Sequence, residues 1–411
     1  MGTKLAQDMA NAAHWLASLQ QAETGGWGEY EGSHANVLNT AEAVLALLDS
    51  GCYASDEAVR RGADYLAHSQ LGPGTDAGPP NEGGWARRVA GEQGGERHLP
   101  DTIRSSFALL AVYRAGRTME LPYVSKGLDW LLRTQRADGG WGYAPDRESR
   151  MFPSCMAMRA LLTFQVGDHT LAGQLQTPIA RGIAWLQHRR NADGSFGEQP
   201  GLVYIHTLHA ILVLALARSL GFALAVAELE AGVRWTGQQA VAATQWVNEM
   251  VEICDDDLGC YTYTHVTPAL YLSTFGSDLS PNDAIAKAAL LVMHDAMDPV
   301  SCGFSAKRPV SWATAKSISG LAAVSRVFPA FPEREIPTGQ AQGRQYLFLF
   351  LGGISVLTTI VALFGNLTSI YGSIMVLTVC ACLLVYGVIT EQTFLQVLVS
   401  RRKLEKRVAS K

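Results

Sequence analysis

Cysteine is scarce in this 411-residue chain, at 7 residues, and no Cys-x-x-Cys spacing recurs. That argues against a disulfide scaffold. Neither a dinucleotide or phosphate-binding glycine loop nor a Gly-x-Ser-x-Gly nucleophile elbow occurs, so the common nucleotide-binding and serine-hydrolase signatures are missing. Charged residues make up only 17% of the chain, with 33 Lys and Arg against 37 Asp and Glu. This acidic balance disfavours nucleic-acid binding. Arg87, Arg88 and Arg97 form no undiluted basic patch, because Glu82, Glu92 and Glu96 are interspersed. At 48% hydrophobic residues, the chain has enough apolar material to fold.

Charge is missing altogether from residues 346–389. There, Tyr346 to Phe364 and Ile370 to Ile389 form apolar runs of 19 and 20 residues joined by GNLTS. Each is long enough for a helix to span a hydrocarbon layer of roughly 30 Å. The pattern predicts a two-helix transmembrane hairpin, where Cys380 and Cys382 face lipid or a helix rather than metal. Residues 390–411 follow with Arg401, Arg402, Lys403, Lys406, Arg407 and Lys411 against Glu391 and Glu405, a local charge of +4 that leaves −8 on residues 1–390. A basic tail beside a span favours the cytoplasmic face, and two spans put the N-terminal region on the same side. The expected location is an inner or plasma membrane. Residues 1–25 lack an apolar core followed by a small-residue cleavage site, so no secretory leader is expected in them. The tail also suits anionic headgroups.

Before these spans the chain repeats. GGW begins at Gly25, Gly83 and Gly139 and GSF at Gly194, at spacings of 58, 56 and 55 residues, with weaker copies at Asp255 and Ser301. Each turn follows a helix ending such as WLASLQ, YLAHSQ or WLLRTQ and precedes an apolar helical pattern, as in NTAEAVLALL or DTIRSSFALLAVY. The unit is helix, glycine turn, helix, with Asn39 and Asp101 as natural caps. One hairpin cannot hide its apolar face alone. Six hairpins, about twelve principal helices over residues 5–330, bury it if the second helix of each lies inside and the first outside. Trp27, Trp85 and Trp141 are expected to fill the gaps between helices. Periodicity by itself permits a closed ring or an open solenoid.

The motif QRADGGWG from Gln135 to Gly142, weakened to NADGSFG from Asn191, resembles the repeats of squalene and other class II terpene cyclases and of protein prenyltransferase beta subunits. The resemblance covers about residues 5–330 and implies an all-α, alpha/alpha toroid with a central isoprenoid cavity. The expected organisation is a toroid at 1–330, a linker at 331–345, the hairpin at 346–389 and the basic tail at 390–411.

The resemblance also nominates chemistry. Cyclases of this kind use an Asp-x-Asp-Asp acid motif; here Cys254-Asp255-Asp256-Asp257 matches with Cys in the first position. By pattern Asp256 is the candidate general acid, flanked by Asp255 and Asp257, since crowded carboxylates raise the proton affinity of one member. The competing reading is a solvated or capping turn. Asp101 resembles the end of the same motif, but its preceding residues supply no further acids, and capping is preferred. Prenyltransferases instead bind zinc through Asp-x-Cys and a later His. Cys155 and His206 match two of those ligands, whereas Pro153 stands in place of the Asp, leaving the site one ligand short. No cofactor is predicted, with zinc the one metal to test, and the missing ligand argues against prenyltransferase activity. Tyr204, His206 and His209 begin one inner helix and Tyr261, Tyr263 and His265 another; these are candidate cavity residues, or core groups with local partners.

The leading expectation is a membrane-anchored, cyclase-like module that binds an isoprenoid, another lipid or a partner protein. A class II-type cyclase using Asp256 and a non-catalytic membrane scaffold are the alternatives.

Overall fold

A computed structural model describes residues 3–73, 81–90, 96–197, 203–222, 226–242, 250–252, 259–261, 266–276, 278–305 and 309–332. The chain divides after Glu333, and everything described belongs to the N-terminal unit. The predicted transmembrane hairpin and basic tail lie outside the described residues. Among the described residues, no helix is long and apolar enough to cross a membrane.

Twelve α-helices are described in this unit. Those at odd positions in the order are α1 (Lys4–Ser18), α3 (Glu57–His68), α5 (Pro122–Arg133), α7 (Ala172–His188), α9 (Val226–Ala242) and α11 (Ala284–Ala296). Those at even positions are α2 (Val37–Asp49), α4 (Thr102–Arg114), α6 (Met151–Gly167), α8 (Val203–Ser219), α10 (Val266–Phe275) and α12 (Ser311–Val324). Their burial separates the two sets. In α3 the buried residues are Val59, Gly62, Ala63 and Leu66, a single stripe at helical spacing that leaves the opposite side polar. In α2 every residue from Asn39 to Leu47 is buried, as expected of a helix enclosed on all sides.

The even helices form a closed inner ring: α2 packs on α4, α4 on α6, α6 on α8, α8 on α10, α10 on α12, and α12 returns to α2. Each carries one outer helix, α3 on α2, α5 on α4, α7 on α6, α9 on α8 and α11 on α10, while α1 covers α12. The first helix therefore covers the last inner one, and the Leu5 amide donates to the Pro329 carbonyl at 3.0 Å. The alpha/alpha toroid is thus present, and closure, which the repeat period leaves open, is decided.

The turns explain the repeat. Gly83 and Gly139 have φ of +90° and +98°, and a Cβ at either would lie 2.4 or 2.5 Å from a carbonyl oxygen of the next outer helix. Only glycine meets both demands. The motif glutamine then ties its own turn to that helix: Gln135 Nε2 donates to Gly139 O at 2.9 Å and Pro178 O at 2.8 Å. Gln70 repeats this with Gly83 O and Tyr123 O, and Gln20 with Gly25 O and Ala58 O. The indoles of Trp27, Trp85 and Trp141 are fully buried and donate to the carbonyls of Leu16, Leu66 and Leu131 at the ends of the preceding outer helices.

Two details differ from the expectation. Asp101 caps α4, accepting from the Arg104 amide at 2.8 Å, but Asn36 rather than Asn39 caps α2, accepting from the Asn39 amide at 3.0 Å. Val37 and Leu38 extend the apolar pattern toward the turn, so the helix starts earlier and Asn39 is buried in its first turn. The unit also contains two antiparallel hairpins, β1 (Ala86–Ala90) with β2 (Glu96–Pro100) and β3 (Met250–Glu252) with β4 (Gly259–Tyr261). They precede α4 and α10, elaborating turns that the repeat pattern alone presents as simple.

Candidate functional site: the central cavity

One hydrogen bond sets a common register for five inner helices. The backbone N–H of the turn aromatic donates to a Ser or Thr hydroxyl near the helix start: Trp27 to Thr40 at 2.9 Å, Trp85 to Ser105 at 2.8 Å and Trp141 to Ser154 at 2.8 Å. Phe196 to Thr207 at 2.9 Å and Phe304 to Thr314 at 2.8 Å continue the series. Residues counted from these hydroxyls occupy equivalent levels around the ring.

The inner helices enclose a cavity of about 1010 Å³. Two residues before each hydroxyl stand Leu38, Ile103, Phe152, Ile205 and Trp312, all of which line it. Five of the six inner helices thus present an apolar residue at the turn end of the ring; in α10 the second residue is Thr267, also in the wall. Two residues after the hydroxyls come Glu42, Phe107, His209 and Lys316, again in the wall, and five residues after come Leu45, Arg159, Leu212 and Ser319. Charged side chains therefore enter the wall beyond that level, beside Leu45 and Leu212, while Glu29 and Arg104 line it nearer the turns.

Most of these charges are matched. Lys316 Nζ lies 2.9 Å from Glu42 Oε1 and 4.4 Å from the centre of the Phe107 ring. Asp49 pairs with Arg114 at 2.8 Å and accepts from the Ser319 hydroxyl at 2.6 Å. Arg104, also in the wall, pairs with Asp101 at 2.9 Å. Arg159 differs: its guanidinium makes no hydrogen bond or ion pair with a described residue. Burial works against its charge, with Asp49 supporting it and Arg114 opposing it.

Burial also holds the His209 imidazole well below its ordinary pKa of 6.5, and Lys316, His206 and Arg159 act in the same direction. His209 is therefore neutral, its ring 5.1 Å from that of Phe152. Its Nδ1 and the Thr267 hydroxyl are buried without a hydrogen-bond partner among the described residues, and both residues line the cavity.

The other candidates are placed differently. His206 is buried against Gly197, where a Cβ would lie 2.7 Å from its Nδ1, and Tyr204 packs 5.9 Å from the Trp235 ring; neither lines the cavity. Cys155 is fully buried in the hydrophobic core, and burial pushes its thiol up, the opposite of what a thiolate ligand needs. Among the described residues, no cluster of three His, Cys, Asp or Glu is arranged to hold a metal. Asp255, Asp256, Asp257, Tyr263 and His265 lie outside the described residues, between β3 and α10 in the chain; Tyr261 ends β4, its side chain likewise outside them.

Glu42, Asp49, Arg159 and Lys316 are not among the candidates drawn from the sequence. Their signal was present: Arg159 and Lys316 are each the one charge of an inner helix, α2 carries two in Glu42 and Asp49, and a charge in an enclosed helix needs a partner or a cavity.

Comparison with known proteins agrees with this architecture. Residues 102–201 match the family model of the squalene-hopene cyclase C-terminal domain. Drimenyl diphosphate synthase from Streptomyces showdoensis is 27% identical over 196 residues, covering 47% of this chain. The chain spans about a third, 32%, of that relative's length. Among solved structures, the type II terpene cyclase MstE from Scytonema superposes with a TM-score of 0.53 at 13% identity, over 79% of this chain and 99% of its own. An alpha-1,6-mannanase from Salegentibacter gives a TM-score of 0.52 at 10% identity, over 79% of this chain and 100% of its own. Those two likenesses establish the toroid, and their unlike chemistries illustrate that the fold alone does not specify a reaction. With the motif-bearing turns and the sequence matches, the chain carries the repeat of the squalene and class II terpene cyclase superfamily.

Proposed function

We propose that this protein is a cyclase-type module that binds an isoprenoid in the centre of its ring. Residues 346–389 hold it in a membrane, with the basic tail on the cytoplasmic face. The observation that carries the reading is the cavity of about 1010 Å³, with Leu38, Ile103, Phe152, Ile205 and Trp312 in its wall at the turn end. It lies at the upper end of the roughly 300–1,000 Å³ common for small-molecule sites, and a flexible hydrocarbon chain gains from such burial in proportion to its apolar area. An open cavity also argues against a purely structural scaffold, which needs no internal space. Membrane attachment suits a ligand that partitions into lipid.

Lipids retained by the full-length protein, identified by mass spectrometry after mild detergent purification, test this reading. An isoprenoid is expected with the native chain and is lost when Leu212→Trp fills the cavity. Recovery of no isoprenoid, or retention undiminished by Leu212→Trp, overturns it. Retention of a polypeptide in its place points to a partner protein.

Catalysis by cyclisation is the second reading. The carboxylates of Glu42 and Asp49 are already committed to Lys316 and Arg114, so neither is free to act as a general acid. Glu29 is a further carboxylate of the wall; the resemblance of Cys254-Asp255-Asp256-Asp257 to the cyclase acid motif gives the role to Asp256, in the segment before α10. Incubation with linear isoprenoids should then yield a cyclic product that Asp256→Asn abolishes without changing expression or membrane insertion. Cyclic product at an undiminished rate in that variant rejects Asp256 as the acid.

A further inference from the structure

We infer that Arg159 receives the oxyanion end, carboxylate or phosphate, of an amphiphile whose hydrocarbon chain lies along the apolar level of the cavity. The inference rests on the proposal that the ring binds an isoprenoid and adds the chemistry of the ligand's head.

Charge matching inside the ring leads to it. Lys316 is neutralised by Glu42, and Asp49 by Arg114. Arg159 lines the same cavity without a hydrogen-bonded or ion-paired partner among the described residues. Its guanidinium is only partly buried, and the Asp49 carboxylate that favours its charge is already paired with Arg114. An anion in the cavity would supply the direct partner, through charge-assisted, bidentate bonds that the planar fork is shaped to make.

One further group fits the same ligand. The His209 imidazole, on the neighbouring inner helix, lines the cavity, is more than nine-tenths buried, and has an Nδ1 without a hydrogen-bond partner among the described residues. Neutral, it can donate to an oxyanion through whichever nitrogen carries its proton. The arrangement is poorly suited to a carbocation at the level of Arg159, where the unmatched charge repels it. It suits a polar, negatively charged end there and a chain against Leu38, Ile103, Phe152, Ile205 and Trp312.

Titration calorimetry on the full chain in neutral detergent micelles tests this with three probes sharing one chain: farnesol, farnesoic acid and farnesyl phosphate. At least one anionic probe is expected to bind about tenfold or more tightly than farnesol, the scale of a charge-assisted pair in a protected site. The two anionic arms separate a carboxylate from a phosphate source. Arg159→Met should bring the anionic probes to the affinity of farnesol and leave farnesol itself unchanged, while Arg159→Lys retains part of the preference. Circular dichroism of both variants establishes that the fold is kept.

Equal binding of farnesol and both anionic probes by the native chain overturns the inference, as does a preference that survives Arg159→Met. Palmitate and hexadecanol separate the head from the chain. If they show the anionic preference and its loss in Arg159→Met while no farnesyl probe binds, the role of Arg159 stands and the isoprenoid proposal fails. If no probe binds, both fail.

Discussion

Lys316 on the last inner helix meets Glu42 on the first at 2.9 Å, 274 positions apart in the chain. The pair lies on the seam where the ring closes, and the Phe107 ring beneath the ammonium joins α4 to the same contact. Around it, the Ser311 amide donates to Glu29 O at 2.8 Å and the Ser311 hydroxyl to Gly28 O at 2.7 Å. Closure thus combines helix packing with a charge pair and backbone bonds.

Breaking that pair from one side should cost more than removing it whole. Glu42 is 7% exposed and Lys316 28%, so Lys316→Met strands a carboxylate in the cavity wall. Chemical unfolding is expected to show a loss near the lower end of the roughly 3–5 kcal/mol found for buried pairs, because Lys316 keeps some solvent contact. Adding Glu42→Gln to Lys316→Met should restore part of the loss. A single variant as stable as the native chain would remove the pair from any account of closure.

The shared hydroxyl bond should be worth a similar amount in different repeats. Ser105→Ala and Ser154→Ala each leave a buried tryptophan N–H without its acceptor, at an expected cost of about 1–3 kcal/mol. Ser125→Ala, at an exposed site in α5, serves as the comparison and should shift the unfolding midpoint little.

Glycine substitutions separate backbone strain from crowding. Gly51 has φ +103° with nothing within 4 Å of the place a methyl group would occupy, whereas a Cβ at Gly83, φ +90°, meets Lys126 O at 2.4 Å. Gly51→Ala should destabilise by about 1 kcal/mol, and Gly83→Ala by distinctly more. Equal losses would mean that the close approach of the turn to α5 contributes nothing.

Acid should loosen the ring before the carboxylates titrate. Burial lowers the His206 pKa from 6.5 to about 4, so the unfolded chain binds the proton first as pH falls. Stability is full above pH 6.5, declines between 6.5 and 4, and levels with respect to this group below that. The decline from His206 is on the order of 3 kcal/mol. His209, lowered further by burial, extends the loss to lower pH. Unfolding midpoints across this range should fall less steeply in His206→Leu; an unchanged slope would assign the effect elsewhere. Asp193 and Asp298, whose carboxyls are lowered first by hydrogen bonds from Ser195 and Ser301, act only in the more acidic carboxylate range.

The helical hairpins were legible because each leaves a local signature. Gly83 and Gly139 mark backbone that turns through positive φ, the glutamine before each turn marks a tie to the next helix, and the tryptophan marks a gap to be filled. The apolar pattern after each turn likewise marked α2 and α4, which the ring encloses. Less was legible where an interaction spans repeats. Asn36 and Asn39 both suit a cap, and only the start of packing chose between them. His206 and His209 stand three residues apart on α8, yet one faces a turn glycine and the other the cavity, a distinction of rotation that the sequence pattern left unmade.

By itself, then, the sequence determined the repeat, the helix-turn-helix unit and the superfamily, since these depend on residues near one another in the chain. Tertiary structure alone decided that α12 meets α2, that α1 covers α12, and that Lys316 neutralises Glu42 while Arg159 stays unmatched. The reason is physical: a local pattern fixes which side chains must be buried, but which charges share a low-dielectric cavity depends on how the six inner helices close around it.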